Sequence, residues 1–285
     1  MASECGILYL CATPIGNLSD MTPRVTETLR NVDLIACEDT RHSRILLDHY
    51  GITTRTTSYH EHNKIEKAHE LVDMLLEGKD IALITDAGMP AISDPGEELV
   101  RIAAEAGVDI KVVPGASASV AALAVSGLPT RRFAFEAFLP KDRKKRAAIL
   151  DELRGETRTI IIYEAPHHLK ALLKELCEAL GSERRISLCR ELTKIYEEVE
   201  RTTIGKALAE YESDREPRGE YVLVIEGLSA DELKAKRRAA WDDISIAEHV
   251  RRYENEGMNH KDAMKQAALD RGVPKRLIYD ELHRK

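Results

Sequence analysis

The chain has 285 residues, of which 43% are hydrophobic and 32% charged, a balance typical of folded globular domains and unlike that of disordered chains. Its net charge of −7 excludes binding of nucleic acid by a uniformly basic surface, so such binding needs a local patch. The longest apolar runs have the length of strands, and they predict neither a membrane span nor a signal peptide. Five cysteines without CxxC spacing argue against disulfides and zinc. We therefore expect a cytoplasmic protein.

Strand and helix patterns alternate along the first part of the chain. In chain order they predict a strand over 7–12, a helix over 23–30, a strand over 32–37, helices over 41–50 and 63–77, a strand over 81–85, a helix over 97–105, a strand over 110–113 and a helix over 116–125. This alternation is typical of a mostly parallel sheet covered by helices. Gly127 and Pro129 interrupt it, so we assign residues 1–127 to a first α/β domain.

The alternation resumes in a second predicted α/β domain, residues 128–228. Its strands are predicted over 132–137, 157–163, 185–189, 199–203 and 221–226, and its helices over 143–153, 167–180 and 204–211. After Gly227 only helices are predicted, over 230–241, 245–256, 260–271 and 274–283. Their tight turns resemble a helix-turn-helix unit. The predicted fold class is thus α/β, with two α/β domains and a small C-terminal helical domain over 229–285.

Three loops that follow strands of the first domain are rich in Gly, Pro and small residues: 12–20, 85–96 and 113–118. Ligands of open α/β sheets bind beyond the carboxyl ends of the strands, so these loops predict a shared crevice for a nucleoside-like ligand. For the first loop alone, a plain turn is an equal alternative. In the second loop, Asp94 and Pro95 are explained as the N-cap and first residue of a helix. That leaves 86–92 for binding.

Charged residues at two further strand ends are candidates for chemistry. Glu38 and Arg41 could orient a hydroxyl or bind a phosphate. The alternative is that Asp39 or Thr40 caps the next helix, while Arg41 pairs with Glu38 or Glu61.

In the second domain, Glu191 and Lys194 belong to a polar set with Glu164 and Arg190. This set could face the same crevice, and the alternative is a salt-bridge network between the domains.

A basic run lies near the start of the second domain. Its members are Arg131, Arg132, Lys141, Arg143, Lys144, Lys145 and Arg146. Such runs are usually solvated helix faces, and the alternative is a patch that contacts phosphates. The histidines of 60–62 and 167–168 have no further ligand at metal spacing, so no metal site is predicted.

Together, the motifs of the chain resemble those of the ribosomal RNA small subunit methyltransferase I family, which has the tetrapyrrole methylase-like fold of class III methyltransferases. The motifs that carry the resemblance are ATPIGNLSDMT, CEDTR, SYHEHN, DAGMPAISDPG, VPGASAS, AFLP, YEAPHH, RELTKIYEE and RGEYVLVIEG. They span residues 7–226, and the resemblance extends to the helical tail.

The resemblance implies a homodimer that binds S-adenosylmethionine between its two α/β domains and methylates the 2′-hydroxyl of a cytidine in the decoding region of 16S ribosomal RNA. The implied cofactor contacts are Pro14, Gly88, Met89, Pro90, Ile92, Ser117, Ala118, Glu164, Ala165, Gly219 and Glu220. For the chemistry, which needs no metal, we expect Glu38 or Glu191 to take the proton. Arg41 and Lys194 would hold the phosphate or stabilise the alkoxide.

The chain departs from the family pattern at five positions. The pattern has Thr and Gly at Met89 and Ala91, Gly at Ala137, Arg at His168 and Glu at Lys64. The two loop changes are small and should preserve cofactor binding.

Two other functions are compatible with these motifs. A tetrapyrrole methylase of the same fold would need neither the basic run nor the helical tail. A non-catalytic ribosome-assembly protein would not need the full set of loop motifs.

Overall fold

The computed structural model describes residues 5–213, 215–239, 241 and 243–283. The first α/β unit contains, in chain order, β1 Ile7–Cys11, a short 3-10 helix Leu18–Asp20, α1 Pro23–Asn31, β2 Leu34–Cys37, α2 Thr40–His49, β3 Thr56–Ser58, α3 Lys64–Leu76, β4 Ile81–Leu83, α4 Gly96–Glu105, β5 Asp109–Val113 and α5 Ala118–Ser126. The second contains β6 Phe133–Phe138, α6 Arg143–Leu153, β7 Thr159–Glu164, α7 Pro166–Leu180, β8 Arg185–Arg190, β9 Glu198–Thr203, α8 Ile204–Ser213 and β10 Tyr221–Ile225.

The first sheet is parallel throughout, with strand order β3-β2-β4-β1-β5. Strands β2 and β4 are buried along their whole length, because apolar clusters pack on both faces of the sheet. Since all strands point the same way, the loops after β1, β4 and β5 lie at one edge.

The second sheet is mixed, with strand order β6-β7-β10-β8-β9. Strands β6 and β7 are parallel, and the other three pairings are antiparallel. The two helix-covered sheets confirm the predicted α/β class.

Helix α5, which the sequence assigns to the first domain, packs on the second sheet. Ala122 and Leu123 lie in one apolar cluster with Ile161 and Val222. Gly127 ends this helix with a left-handed φ of 74°, as its position in the sequence predicts. The domain boundaries at 127 and 228 stay a prediction.

The helical tail contains α9 Ala230–Ala239, α10 Ile246–Asn255, α11 His260–Arg271 and α12 Lys275–Leu282. Residue 240 of the predicted helix 230–241 lies outside the described residues. Val250, Met264 and Ile278 belong to a separate apolar cluster of this tail. Within the described chain, no helix has both the length and the apolar character that a membrane crossing requires.

Candidate active site between the two sheets

The first two predicted loops are joined by backbone pairing. The Thr13 N–H donates to the Gly88 carbonyl over 2.9 Å, and the Gly88 N–H donates back over 3.1 Å. Gly88 has a φ of 86°, and a Cβ there would lie 3.3 Å from Cγ2 of Ile15. Glycine therefore allows a close approach of the two loops that a side chain would hinder.

The second loop is held by the Asp94 carboxylate. Its Oδ1 accepts hydrogen bonds from the N–H groups of Ala91 over 3.0 Å and of Gly96 over 2.7 Å. Helix α4 begins at Gly96, one residue before the start of the predicted range 97–105. Pro95 itself has helical backbone angles, with φ −61° and ψ −12°, and Asp94 accepts the hydrogen bond of the next N–H, that of Gly96. Asp94 therefore caps the helix start as the sequence predicts, and it also closes the loop.

Helix α5, which directly follows the third loop, is bonded to Tyr163 of the second sheet. The hydroxyl of Tyr163 accepts a hydrogen bond from the Ser119 N–H over 3.0 Å. The tyrosine ring makes edge contacts with Phe135 and Phe138, with centroids 5.0 and 5.5 Å apart. These contacts attach the first turn of α5 to the second sheet.

Between the three loops and the second sheet lies a cavity of about 410 Å³, which we call the first cavity. It is lined by Ile15, Ala87, Gly88, Met89, Ile92, Ser117, Ala118, Phe138, Tyr163, Glu164, Ala165, Pro166, Glu220, Tyr221 and Val222. Its volume is within the range of small-molecule sites.

Eight of the eleven implied cofactor contacts line the first cavity: Gly88, Met89, Ile92, Ser117, Ala118, Glu164, Ala165 and Glu220. Pro14 lines an adjoining cavity, whereas Pro90 and Gly219, both among the described residues, line neither. Sequence reasoning missed Phe138, Tyr221 and Val222, because they have the pattern of ordinary strand residues.

The adjoining cavity, the second cavity, has a volume of about 320 Å³. It shares Ile15, Ala87 and Glu220 with the first cavity, and its other lining residues are Pro14, Gly16, Leu18, His42, Ser43, Ile45, Leu46, Thr85, Asp86 and Lys194. Its Asp, Glu and Lys side chains are Asp86, Lys194 and Glu220, against Glu164 and Glu220 in the first cavity. This arrangement can hold two reactants side by side, one against apolar walls and one near charged groups.

Lys194 is anchored by two carboxylates. Its Nζ lies 2.8 Å from Oε1 of Glu191 and 2.8 Å from Oε2 of Glu220. Burial opposes the charge of this ammonium, but the two hydrogen bonds prevail and raise the pKa of Lys194. Burial likewise opposes the charge of Glu191, but Lys194 and the Glu220 N–H prevail and lower its pKa. The site thus holds a permanent cation at the edge of the second cavity.

Gly219 provides space for this network. Its φ is 73°, and a Cβ there would lie 2.4 Å from Cγ of Glu191. Gly16, in the first loop, likewise provides space for the Lys194 side chain, since a Cβ at Gly16 would lie 2.4 Å from Cγ of Lys194. The lysine stem therefore spans from the second sheet to the first loop.

Glu38 and Arg41 line neither cavity, although both are among the described residues. Burial, followed by the charges of Asp86 and Asp94, raises the pKa of Glu38. Asp39 caps α2 by accepting from the Arg41 N–H over 2.8 Å, which is one of the alternatives that the sequence leaves open. Arg41 is exposed and forms no ion pair within the described chain. Glu38 thus has a raised pKa and is influenced by the charge of Asp86, which lines the second cavity.

The basic run is divided by the structure into exposed members and one inward member. The exposed members are Arg131, Arg132, Lys141, Arg143, Lys144 and Lys145. The side chain of Arg146 is only 15% exposed and lies in ion pairs with Glu164 and Glu175.

Two of the family departures lie at strained positions. Ala91 and Ala137, where the pattern has glycine, have φ values of 64° and 54°, a region that favours glycine. Lys64 pairs with Glu61 over 2.7 Å, and His168 is exposed.

The described residues contain no group of three or more His, Cys, Asp or Glu side chains suited to a metal ion.

Known proteins share this architecture. Residues 8–208 match the family of Tetrapyrrole (Corrin/Porphyrin) Methylases. A uroporphyrin-III-C-methyltransferase from Thermus thermophilus superposes with a TM-score of 0.56 and 21% identity, covering 78% of this chain and 94% of that one. A diphthine synthase superposes with a TM-score of 0.62 and 14% identity, covering 78% and 90%. These likenesses concern the fold alone. Fold and family match define a class III methyltransferase.

Curated relatives narrow this class. Ribosomal RNA small subunit methyltransferase I of Halalkalibacterium halodurans is 48% identical over 98% of this chain and 95% of that protein. The proteins of the same name from Bacillus subtilis and Synechocystis are 45% and 46% identical, covering 99% and 96% of this chain and 95% and 96% of theirs. The chain belongs to the ribosomal RNA small subunit methyltransferase I family, which confirms the resemblance drawn from its motifs. Methyltransferases of this family and fold use S-adenosylmethionine.

The residues present fit this cofactor. The first cavity is lined mainly by small and apolar side chains, and the backbone of Gly88 approaches where a Cβ would meet Ile15. Such walls suit a flat nucleoside, and polar groups at Ser117 and Glu164 are available to orient it.

Proposed function

We propose that the chain transfers the methyl group of S-adenosylmethionine to the 2′-hydroxyl of a cytidine in the decoding region of 16S ribosomal RNA. The observation that carries this proposal is the pair of adjoining cavities with a shared wall at Ile15, Ala87 and Glu220. The names of the curated relatives support small-subunit RNA as the substrate. The motifs that the chain shares with its family support the cytidine ribose.

In this proposal the first cavity binds the cofactor. When bound, the cofactor supplies a methyl group already activated by a sulfonium. The chain has to orient the two reactants and exclude water, and orientation alone accounts for a large part of such a barrier. The paired Thr13 and Gly88 backbones and the ring of Tyr163 give this cavity a preformed shape.

The second cavity receives the ribose. A hydroxyl is a poor nucleophile until its proton is removed or shared. The Lys194 ammonium, fixed by Glu191 and Glu220, stabilises the negative charge that develops on the ribose oxygen. Asp86, which lines the second cavity, relays the proton to Glu38. The raised pKa of Glu38 makes it a better base than Glu191, whose pKa is lowered. Arg41, exposed beside this cavity wall, holds a phosphate of the RNA.

RNA is held by local basic surfaces, because the net charge of the chain is −7. The exposed basic residues of 131–145 contact phosphates, and the helical tail 229–285 adds a second contact. The protein acts as a homodimer in the cytoplasm. Deletion of the tail is expected to weaken RNA binding and to leave cofactor binding intact.

The proposal is tested by incubating the protein with labelled S-adenosylmethionine and small ribosomal subunits that lack the modification. Label recovered as 2′-O-methylcytidine after complete digestion of the RNA is the expected result. Label in a base would contradict the ribose as acceptor. Label in an added tetrapyrrole but not in RNA would favour the small-molecule methylase. Cofactor binding without any transfer would favour the non-catalytic assembly protein.

A further inference from the structure

We propose that Arg146 is a positioning residue for the first cavity, which acts through the buried carboxylate of Glu164 and not through contact with RNA. The inference rests on the proposal that this cavity binds the cofactor. It separates Arg146 from the six exposed residues of the same basic run.

The guanidinium of Arg146 reaches two carboxylates. Its Nε donates to Oε2 of Glu175 over 2.6 Å, and its Nη2 lies 3.6 Å from Oε2 of Glu164. The Glu164 side chain is 6% exposed and lines the first cavity, whereas that of Glu175 is 39% exposed. The two ion pairs therefore differ in kind, since only the one with Glu164 compensates a buried charge at the cavity wall.

Glu164 has a structural task at the start of α7. Its Oε1 accepts a hydrogen bond from the Ala165 N–H over 2.9 Å, where Pro166 begins the helix. All three residues line the first cavity. A carboxylate is favoured at a helix N-terminus, but a buried one needs a compensating cation. Arg146 supplies that charge, so it fixes the side chain that holds this segment of the wall.

Helical geometry explains why Arg146 differs from its neighbours. It lies four residues before Leu150 on α6, and Leu150 belongs to the apolar cluster under the second sheet. Residues four apart share a helix face. Lys144 and Lys145 are exposed and stand two and one residues before Arg146, so they do not share its face. Helix α6 thus has an inner face that supports the cavity and an outer face that is free for phosphates.

The test measures binding of S-adenosylmethionine by calorimetry in the absence of RNA, so its outcome does not depend on the RNA substrate. For Arg146→Met, we expect the dissociation constant to rise about tenfold or more, because the Glu164 charge loses its partner. Arg146→Lys should recover part of this affinity. In the double variant with Glu164→Gln, which removes the buried charge but keeps an acceptor for the Ala165 N–H, affinity should exceed that of Arg146→Met.

Two controls separate this role from general destabilisation. Glu175→Gln removes the other ion pair of Arg146 and should leave cofactor affinity within about twofold of the parent. Lys144→Met, on the outer face of the same helix, should lower RNA affinity and leave cofactor affinity unchanged.

The inference is overturned if Arg146→Met binds the cofactor as the parent does, whatever its effect on RNA. It is also overturned if Glu164→Gln brings no recovery in a folded double variant. If Arg146→Met does not fold, Arg146→Lys decides: an affinity equal to that of the parent, combined with loss of RNA binding, contradicts the inference. Failure of the parent to methylate RNA would contradict the proposed function and leave this result standing.

Discussion

Replacement of Lys194 by Met tests the cation at the edge of the second cavity. The variant keeps most of the lysine stem that packs near Gly16 and loses the ammonium between Glu191 and Glu220. The Glu220 side chain is 79% exposed, so that ion pair contributes at most about 1 kcal/mol. The Glu191 side chain is 19% exposed, and a hydrogen bond between charged groups contributes about 1.5–3 kcal/mol. We therefore expect the free energy of unfolding to fall by about 2–3 kcal/mol.

The expected effect on catalysis is larger. Loss of one preorganised donor at a developing oxyanion lowers turnover by about a hundredfold or more. The hydrogen bonds to Glu191 and Glu220 raise the pKa of Lys194, so the ammonium stays protonated up to and above its ordinary range. The loss should consequently be the same at every pH from neutral to mildly alkaline.

The assay is single-turnover methyl transfer to small ribosomal subunits at saturating cofactor. Lys170→Met is the matched control, because it removes an exposed ion pair with Glu216 of 3.1 Å outside both cavities. Turnover of Lys194→Met within about twofold of this control would refute the assigned role.

Three further changes test other parts of the account. Glu38→Gln should lower turnover by more than about a hundredfold with cofactor affinity intact. Because burial raises the pKa of Glu38, the parent rate should rise with pH through that raised pKa, and the rate of the variant should not. A near-normal rate of the variant would exclude Glu38 as the base. Gly88→Ala should weaken cofactor binding in calorimetry. Gly107→Ala is the control, because Gly107 has a similar φ of 76° and a Cβ there would meet no heavy atom within 4 Å. It should lower the free energy of unfolding by a similar backbone strain of about 1–2 kcal/mol and leave cofactor affinity unchanged. Ala137→Gly should relieve such strain at a smaller cost in chain entropy, so the free energy of unfolding measured in urea should rise by about 0.5–1 kcal/mol. A loss of stability would show that the positive φ of Ala137 does not destabilise the fold.

The sequence is sufficient to predict most of the elements, but not all of their pairings. Strand β3 was missed, because its three residues are only half-buried and have no apolar alternation. The mixed second sheet was not predicted either, because β10, the last strand in the described part of the chain, inserts between β7 and β8. Hydrophobic periodicity identifies a strand and does not reveal its direction or its neighbours.

The sequence places the loop residues of the candidate site most directly, and their roles stay a prediction. Gly88 and Ser117 follow strands directly, so their place at the sheet edge follows from the topology. Tyr221 and Val222 were missed, because they belong to a buried strand and enter the cavity only through packing of the two sheets. The inward direction of Arg146 did have a signal in the sequence, since it shares a helix face with Leu150.

The central claim is methylation of a ribose hydroxyl in small-subunit RNA, and alkaline hydrolysis tests it most directly. Unmodified small subunits are incubated with the protein and S-adenosylmethionine, and the RNA is then cleaved in alkali and resolved as a ladder. A 2′-O-methyl group removes the hydroxyl that attacks the neighbouring phosphate, so the account predicts one new gap in the ladder, at a cytidine of the decoding region. A methylated RNA with an unbroken ladder would contradict it.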